Sequence, residues 1–246
     1  MEKSDYIFGL RAIIEAIEAG RDIDKILVRK ELNGDLAKEL LSKAREYGVL
    51  IKYVPVEKLN RITMKNHQGA IAILSAVPYQ SLDNLIPSLY EEGKTPMMVV
   101  LDGVTDIRNF GAIARTACCA GVDAMVIPSH NSVSITADAV KTSAGALFHI
   151  PVCRERSTLE AVRKLKDNGY RIVAATEKGA SDYTLTDFTV PVAIVMGAEE
   201  TGISNDVLRL ADDLAAIPIL GEIGSLNVSV AAGVMIYEAV RQRRLQ

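Results

Sequence analysis

A chain of 246 residues, 49% hydrophobic and 24% charged, has enough apolar content for a sizeable core and is neither disordered nor a disulfide-stapled miniature. Its net charge of −3 excludes a uniformly basic nucleic-acid-binding chain, and 5% aromatics with no tryptophan give no composition-level platform for stacking bases. No apolar run reaches membrane-spanning length and no leader-like segment opens the chain, so a cytoplasmic protein is expected.

Residues 1–77 alternate helix and strand signals. Apolar spacing predicts a helix over 8–19 that stops at Gly20, and 25–28 is a short β-branched run. A helix over 34–47 ends at Gly48; 50–54 and 70–74 read as buried strands, with a short helix over 55–62. This part holds 13 Lys/Arg against 11 Asp/Glu and the remainder 15 against 20, a slight basic bias in which Lys25, Arg29, Lys30, Arg61 and Lys65 are candidate phosphate contacts. A linker is expected over 78–95, where prolines and the charged run 91–94 interrupt the pattern. Beyond it, strands at 97–101, 124–127, 171–175 and 192–196 alternate with helices at 110–120, 158–168 and about 226–243. Continuous apolar strands separated by helices predict a parallel sheet covered on both faces. The expected architecture is therefore α/β: a small domain over 1–77, a linker over 78–95 and a larger domain over 96–246.

Common nucleotide and hydrolase signatures are absent. No GxGxxG follows a strand, and Gly93-Lys94-Thr95 imitates a P-loop ending while Ser88 stands where its first glycine belongs. No GxSxG elbow occurs. His67, His130 and His149 lack ligand spacing, so no metal is expected. Cys118, Cys119 and Cys153 form no CxxC and read as buried, reduced thiols.

Three segments lie at the C-terminal ends of predicted strands, the edge where parallel α/β sheets bind ligands. In 101–117, Asn109 is placed to open a helix, and Arg115 follows on it among small or apolar neighbours, where a guanidinium needs an anion or solvent. In 194–204, an apolar strand runs through Met196 into Gly197, with Glu199 at the turn and Gly202 before a short helix; glycines there permit close backbone approach to a ligand. In 217–244, Ser225 or Asn227 caps a final helix that is apolar on nearly every face, a pattern for burial in a core or a subunit interface. The arginines 241, 243 and 244 suit that helix's C-terminal dipole.

In this order the three segments resemble the motifs of the SpoU/TrmH branch of the SPOUT methyltransferases. The likeness rests on Asn109 to Arg115, on Gly197-Ala198-Glu199 with Gly202, and on Ser225-Leu226-Asn227-Val228-Ser229. The first part, ending in Asn66-His67-Gln68-Gly69-Ala70, resembles the ribosomal-protein-like substrate-binding domain of some members. The resemblance implies S-adenosyl-L-methionine (AdoMet) as cofactor, a trefoil knot in the C-terminal SPOUT domain, a homodimer, and 2′-O-ribose methylation of RNA. The members most alike modify a guanosine of 23S rRNA. It also implies Asn109, Arg115, Glu199, Ser225 and Asn227 at the reacting site, and Met196, Gly197, Gly202, Ile217, Ser225 and Leu226 around the cofactor. Within the same chemistry the alternative is tRNA or another rRNA site. From a different class, it is a non-catalytic RNA-binding or ribosome-assembly factor.

Overall fold

The computed structural model describes residues 5–178 and 181–245. They group into two compact units, one from the chain up to Pro78 together with Ser134–Thr136, the other from Tyr79–Val133 and Ala137 onward.

In the first unit, β1 (Tyr6–Phe8), α1 (Leu10–Glu18), β2 (Ile23–Arg29), α2 (Asp35–Glu46), β3 (Ile51–Val54), α3 (Val56–Ile62) and β4 (Ala70–Leu74) build a sheet of order β1-β4-β2-β3, in which only β2 and β3 run parallel. Strand alternation sends Ile26, Val28, Ala70 and Ala72 to one face, beneath α1 and α2, and Leu27 and Ile71 to the other, beneath Leu59 of α3. Phe8, expected in the first helix, belongs to β1, because Gly9 turns the chain at φ 90 before α1 begins.

The Asn66–Ala70 motif forms a structural turn. His67 is nearly buried; its Nδ1 accepts the Gly69 N–H at 3.0 Å, which puts the ring proton on Nε2, 2.9 Å from Asn60 Oδ1. Gln68, at φ 52, offers Oε1 to the Leu10 N–H at 3.0 Å and so caps α1, a task glycine at position 9 has no side chain to perform.

The second unit carries β5 (Tyr79–Gln80), α4 (Leu82–Glu91), β6 (Met97–Asp102), α5 (Ile107–Cys119), β7 (Ala124–Pro128), α6 (Ala137–Thr142), β8 (Val152–Glu155), α7 (Thr158–Asp167), β9 (Arg171–Ala175), β10 (Ser181–Asp182), β11 (Val192–Gly197), α8 (Asn205–Leu210), β12 (Asp213–Ala216) and α9 (Val228–Arg243). The sheet order is β10-β12-β9-β11-β6-β7-β8-β5, and every pairing is parallel. One face packs Met98, Val100, Val126 and Val195 against α4, α7 and α8. Across the sheet α9 lies on β11 and α5 packs between α9 and α6.

Helix α4 occupies the stretch expected to be a linker. Ser81 accepts the Asp83 N–H at 3.2 Å to start it, and Leu82, Ile86 and Leu89 bury a stripe at helical spacing. Pro87 sits inside this helix and disguises the stripe in the sequence.

The C-terminal arginines do more than complement a dipole. Arg243 is directed at backbone carbonyls: Nε to Phe188 O at 2.8 Å, Nη1 to Thr95 O at 2.7 Å and Nη2 to Val190 O at 2.8 Å. It thereby ties the end of α9 to the chain entering β6 and β11, and burial lowers its pKa from the ordinary guanidinium value. Arg241 pairs with Glu238 at 2.7 Å. Arg243→Ala strips charged donors from several carbonyls and is expected to cost about 2–3 kcal/mol, read as a lower urea midpoint. A wild-type midpoint would show that this clamp adds nothing to stability.

Of the three thiols expected to be buried, only Cys153 is; Cys118 is half-buried and Cys119 exposed on the last turn of α5. Burial and then the nearby Glu155 carboxylate push the Cys153 thiol up to about 12. Since the thiolate is the reactive form, iodoacetamide should label Cys119 in the native protein and Cys153 only on unfolding. Native labelling of Cys153 detected by mass spectrometry would contradict this packing.

Candidate active site

The loops after β6, β9, β11 and β12 meet at the C-terminal edge of the sheet. In register, Asp102 at the end of β6 lies beside Gly197 at the end of β11. Asp102 Oδ2 accepts the Ser204 N–H at 2.8 Å, which holds the start of α8 against β6. Helix α5 is capped by Asp106, whose Oδ1 accepts the N–H groups of Arg108 and Asn109 at 2.8 and 2.9 Å. The cap is therefore Asp106, not Asn109: a carboxylate before the helix reaches two orphan donors, and Asn109, one position into the first turn beyond Arg108, is left free to reach elsewhere.

What Asn109 reaches is Asn227. The Asn227 Nδ2 donates to Asn109 Oδ1 at 3.0 Å and to Glu199 Oε1, while its Oδ1 caps α9 by accepting the Ser229 N–H at 3.0 Å and the Ser229 hydroxyl at 2.6 Å. Both amide hydrogens and the carbonyl are thus used. Glu199 Oε1 also accepts the Val228 N–H at 3.4 Å, a carboxylate at the positive end of α9. One side-chain amide joins the three motif segments, although they are far apart in the chain.

Beside this hub is a cavity of about 400 Å³, within the size range of small-molecule sites. Met196, Gly197, Gly202, Ile217, Ser225 and Leu226, the residues expected around the cofactor, all line it. Thr176 and Lys178 after β9, and Ala231 of α9, line it as well and went unread, since nothing in a Thr or Ala at those places sets them apart in sequence. Glu199 belongs to both the cavity wall and the hub. The wall mixes apolar side chains with backbone, with the Glu177, Glu199 and Glu200 carboxylates and with the Lys178 ammonium, a lining suited to a ligand that has both apolar and charged parts.

Gly197 is required for a different reason from the one its motif suggests. A Cβ there would stand 2.3 Å from Gly202 C and 2.4 Å from Ile203 N. The close approach is by the chain itself: residues 198–202 fold back on the strand end, with the Gly202 N–H donating to Ala198 O at 2.8 Å and Gly202 at φ 67.

Arg115 stands apart. It lies six residues beyond Asn109, about 9 Å along the helix and on a different side. It is exposed, does not line the cavity, and among the described residues it makes no hydrogen bond or ion pair. Ser225 is exposed at the rim of the cavity. Among the described residues no cluster of His, Cys, Asp and Glu fits a metal ion.

An all-parallel sheet with a half-apolar cavity at its C-terminal edge, lined by motif loops rather than a dinucleotide fingerprint, defines an α/β enzyme with a small-molecule site of non-Rossmann type. The family follows directly: residues 96–237 match the SpoU rRNA Methylase family, residues 6–80 match the family described as RNA 2′-O ribose methyltransferase substrate binding, and the chain belongs to the SpoU methylases. It is an RNA methyltransferase. Over 237 residues it is 36% identical to a protein of Staphylococcus saprophyticus assigned to the TrmH family of tRNA/rRNA methyltransferases, covering 96% of this chain and 95% of that one. It is 33% identical over 242 residues to YacO of Bacillus subtilis, which bears the same family description, covering 98% and 97%. The AdoMet-bound rRNA methyltransferase of Sinorhizobium meliloti has the same fold, with a TM-score of 0.62 at 28% identity over 96% of this chain and 86% of that one.

Proposed function

We propose that this chain transfers the methyl group of AdoMet to a ribose 2′-hydroxyl of RNA, with a guanosine of 23S rRNA as target. The observation that carries the reading is the Asn227 amide, which gathers Asn109 and Glu199 at the rim of the cavity. The cavity fits the cofactor: Met196, Ile217 and Leu226 offer apolar surface to an adenine, and Glu199 and Glu200 offer negative charge to a sulfonium. Bound there, AdoMet supplies an already activated methyl, so the protein's task is to place the hydroxyl and assist loss of its proton.

In this reading Asn227, its own amide fully used, holds Asn109 and Glu199 in place, the Asn109 Nδ2 hydrogen-bonds the ribose, and Ser225 borders its path. Arg115, unpaired among the described residues, orients a substrate phosphate; a guanidinium with pKa above about 12 is a poor base, so the phosphate oxygen it holds takes the proton. Arg115 lies outside the cavity of one chain, while Leu220 (97% exposed), Ile223 (80%), Val230 and Tyr237 leave apolar surface on the 217–227 segment and α9. Both features support a homodimer in which the two chains complete the site, and a molar mass of two chains by light scattering is expected. The trefoil knot belongs to the same reading, supported by the 198–203 and 217–227 segments sharing one cavity wall. The cytoplasm is where such a substrate is made.

Labelled AdoMet incubated with unmodified 23S rRNA, and separately with tRNA, tests the proposal. Alkali does not cut beside a 2′-O-methylated ribose, so label in alkali-resistant dinucleotides containing guanosine, from rRNA alone, is expected. Label in tRNA alone would move the substrate, and label in alkali-sensitive material would overturn the 2′-O assignment.

A further inference from the structure

The first unit segregates its charge by face. Helices α1 and α2, on one side of its sheet, carry Arg11, Lys38, Lys43 and Arg45 against Glu15, Glu18, Asp35, Glu39 and Glu46. Several of these cations are paired: Arg11 with Glu39 at 3.5 Å, Lys38 with Asp35 at 3.5 Å, Lys43 with Glu18 at 3.2 Å. The α3 side differs. Lys52, Lys58, Arg61 and Lys65 face a single carboxylate in that stretch, Glu57, and strand alternation adds Arg29, which follows Leu27 to this face.

Among the described residues none of these five cations makes an ion pair. All five are exposed. Lys65 Nζ lies 5.8 Å from the centre of the Phe8 ring rather than against a carboxylate, and Tyr6 stands 6.2 Å from Phe8 on the same strand face. Lys58 and Arg61 border a shallow depression with Pro55 and Ile62. Lys25, by contrast, is engaged with Asp24 and the Ser134 hydroxyl.

We propose that the α3 face of this unit is the RNA-docking surface, with Arg29, Lys52, Lys58, Arg61 and Lys65 on successive phosphates and Tyr6 and Phe8 beneath an unpaired base. This rests on RNA being the substrate and assigns the face that holds it. Like-charged side chains that stay unneutralised on a net acidic chain repel one another, and that repulsion is relieved by a polyanion. The α1–α2 face, with more carboxylates than cations, repels one. An RNA duplex would meet the basic side chains alone; a single-stranded loop also uses the rings, which is the substrate these observations favour.

The test compares full-length proteins bearing Lys58→Ala/Arg61→Ala/Lys65→Ala with Arg11→Ala/Lys38→Ala/Arg45→Ala, against an unmodified 23S rRNA transcript, by fluorescence anisotropy at several salt concentrations. The α3-face variant should bind at least about tenfold more weakly, with a log Kd against log salt slope shallower by about 2, from some 0.7 for each single-strand phosphate no longer neutralised. Its KM for RNA should rise while kcat at saturating RNA and AdoMet affinity stay at wild-type values, which separates docking from misfolding. The α1–α2 variant should bind like wild type or more tightly. Unchanged affinity and slope in the α3-face variant, or losses confined to the other face, would overturn the assignment. A wild-type protein that bound neither this transcript nor tRNA would bring down the RNA reading along with it.

Discussion

In the proposed mechanism Arg115→Ala is expected to slow methyl transfer by about 10²–10³-fold, the loss typical of removing one electrostatic contact to a reacting centre. AdoMet affinity and the unfolding midpoint should stay at wild-type values. The separation follows from where the side chain sits: it is exposed on α5, without a hydrogen bond or ion pair among the described residues, and outside the cavity wall. Nothing in the fold depends on it. Arg115→Lys should recover only part of the rate, because an ammonium is a point charge where the guanidinium presents a planar fork to a phosphate. Single-turnover rates at saturating RNA, with calorimetric titration of AdoMet, read both quantities. A variant as fast as wild type would remove Arg115 from the reacting site and leave Asn227 and Glu199 to do the positioning.

Gly197→Val is expected to do the reverse, weakening AdoMet binding by about ten- to a hundredfold and lowering stability together. The new side chain would collide with backbone atoms of Gly202 and Ile203, which do not rotate away as a side chain would, so the 198–203 turn has to move. Overpacking of this kind costs about 1–3 kcal/mol, and each 1.4 kcal/mol passed on to binding is tenfold in Kd. Gly197→Ala should show the same two losses in smaller measure. If AdoMet bound Gly197→Val as tightly as wild type, the cofactor would not be resting on this turn.

Two of the three segments were legible by position, because they sit where the apolar runs of β6 and β11 stop; the third follows β12 and was legible only through the family resemblance. The cap of α9 was narrowed in sequence to Ser225 or Asn227, and the fold uses Asn227. The cap of α5 was misread as Asn109, since Asp106 and Asn109 are both good cap residues in one short polar stretch and only geometry chooses between them. Strands β8 and β12 were missed for another reason. Their sequences, VCRE and DLAA, carry charges that composition assigns to the surface. In the fold those charges are paired: Glu155 is nearly buried with Lys164 at 3.0 Å, and Asp213 holds Arg171 of the neighbouring strand at 3.0 Å. Exposure of Cys119 and the carbonyl-directed Arg243 depend on which side of a helix meets which neighbour, a relation that no local pattern encodes.

The strand order also sets a schedule. β6 finds β7 soon after it is made, but its other neighbour, β11, lies almost a hundred residues further along the chain. At about 5–20 residues per second, the apolar Met97–Leu101 stretch waits on the order of 5–20 s on the nascent chain with one hydrogen-bonding edge unfilled. Parallel pairings of such long range close slowly even once both partners exist. The same arrangement that places Asp102 beside Gly197 therefore delays closure of the second unit's sheet, while the sheet of the first unit, which uses only residues up to Leu74, pairs early and gains the Ser134–Thr136 segment afterwards.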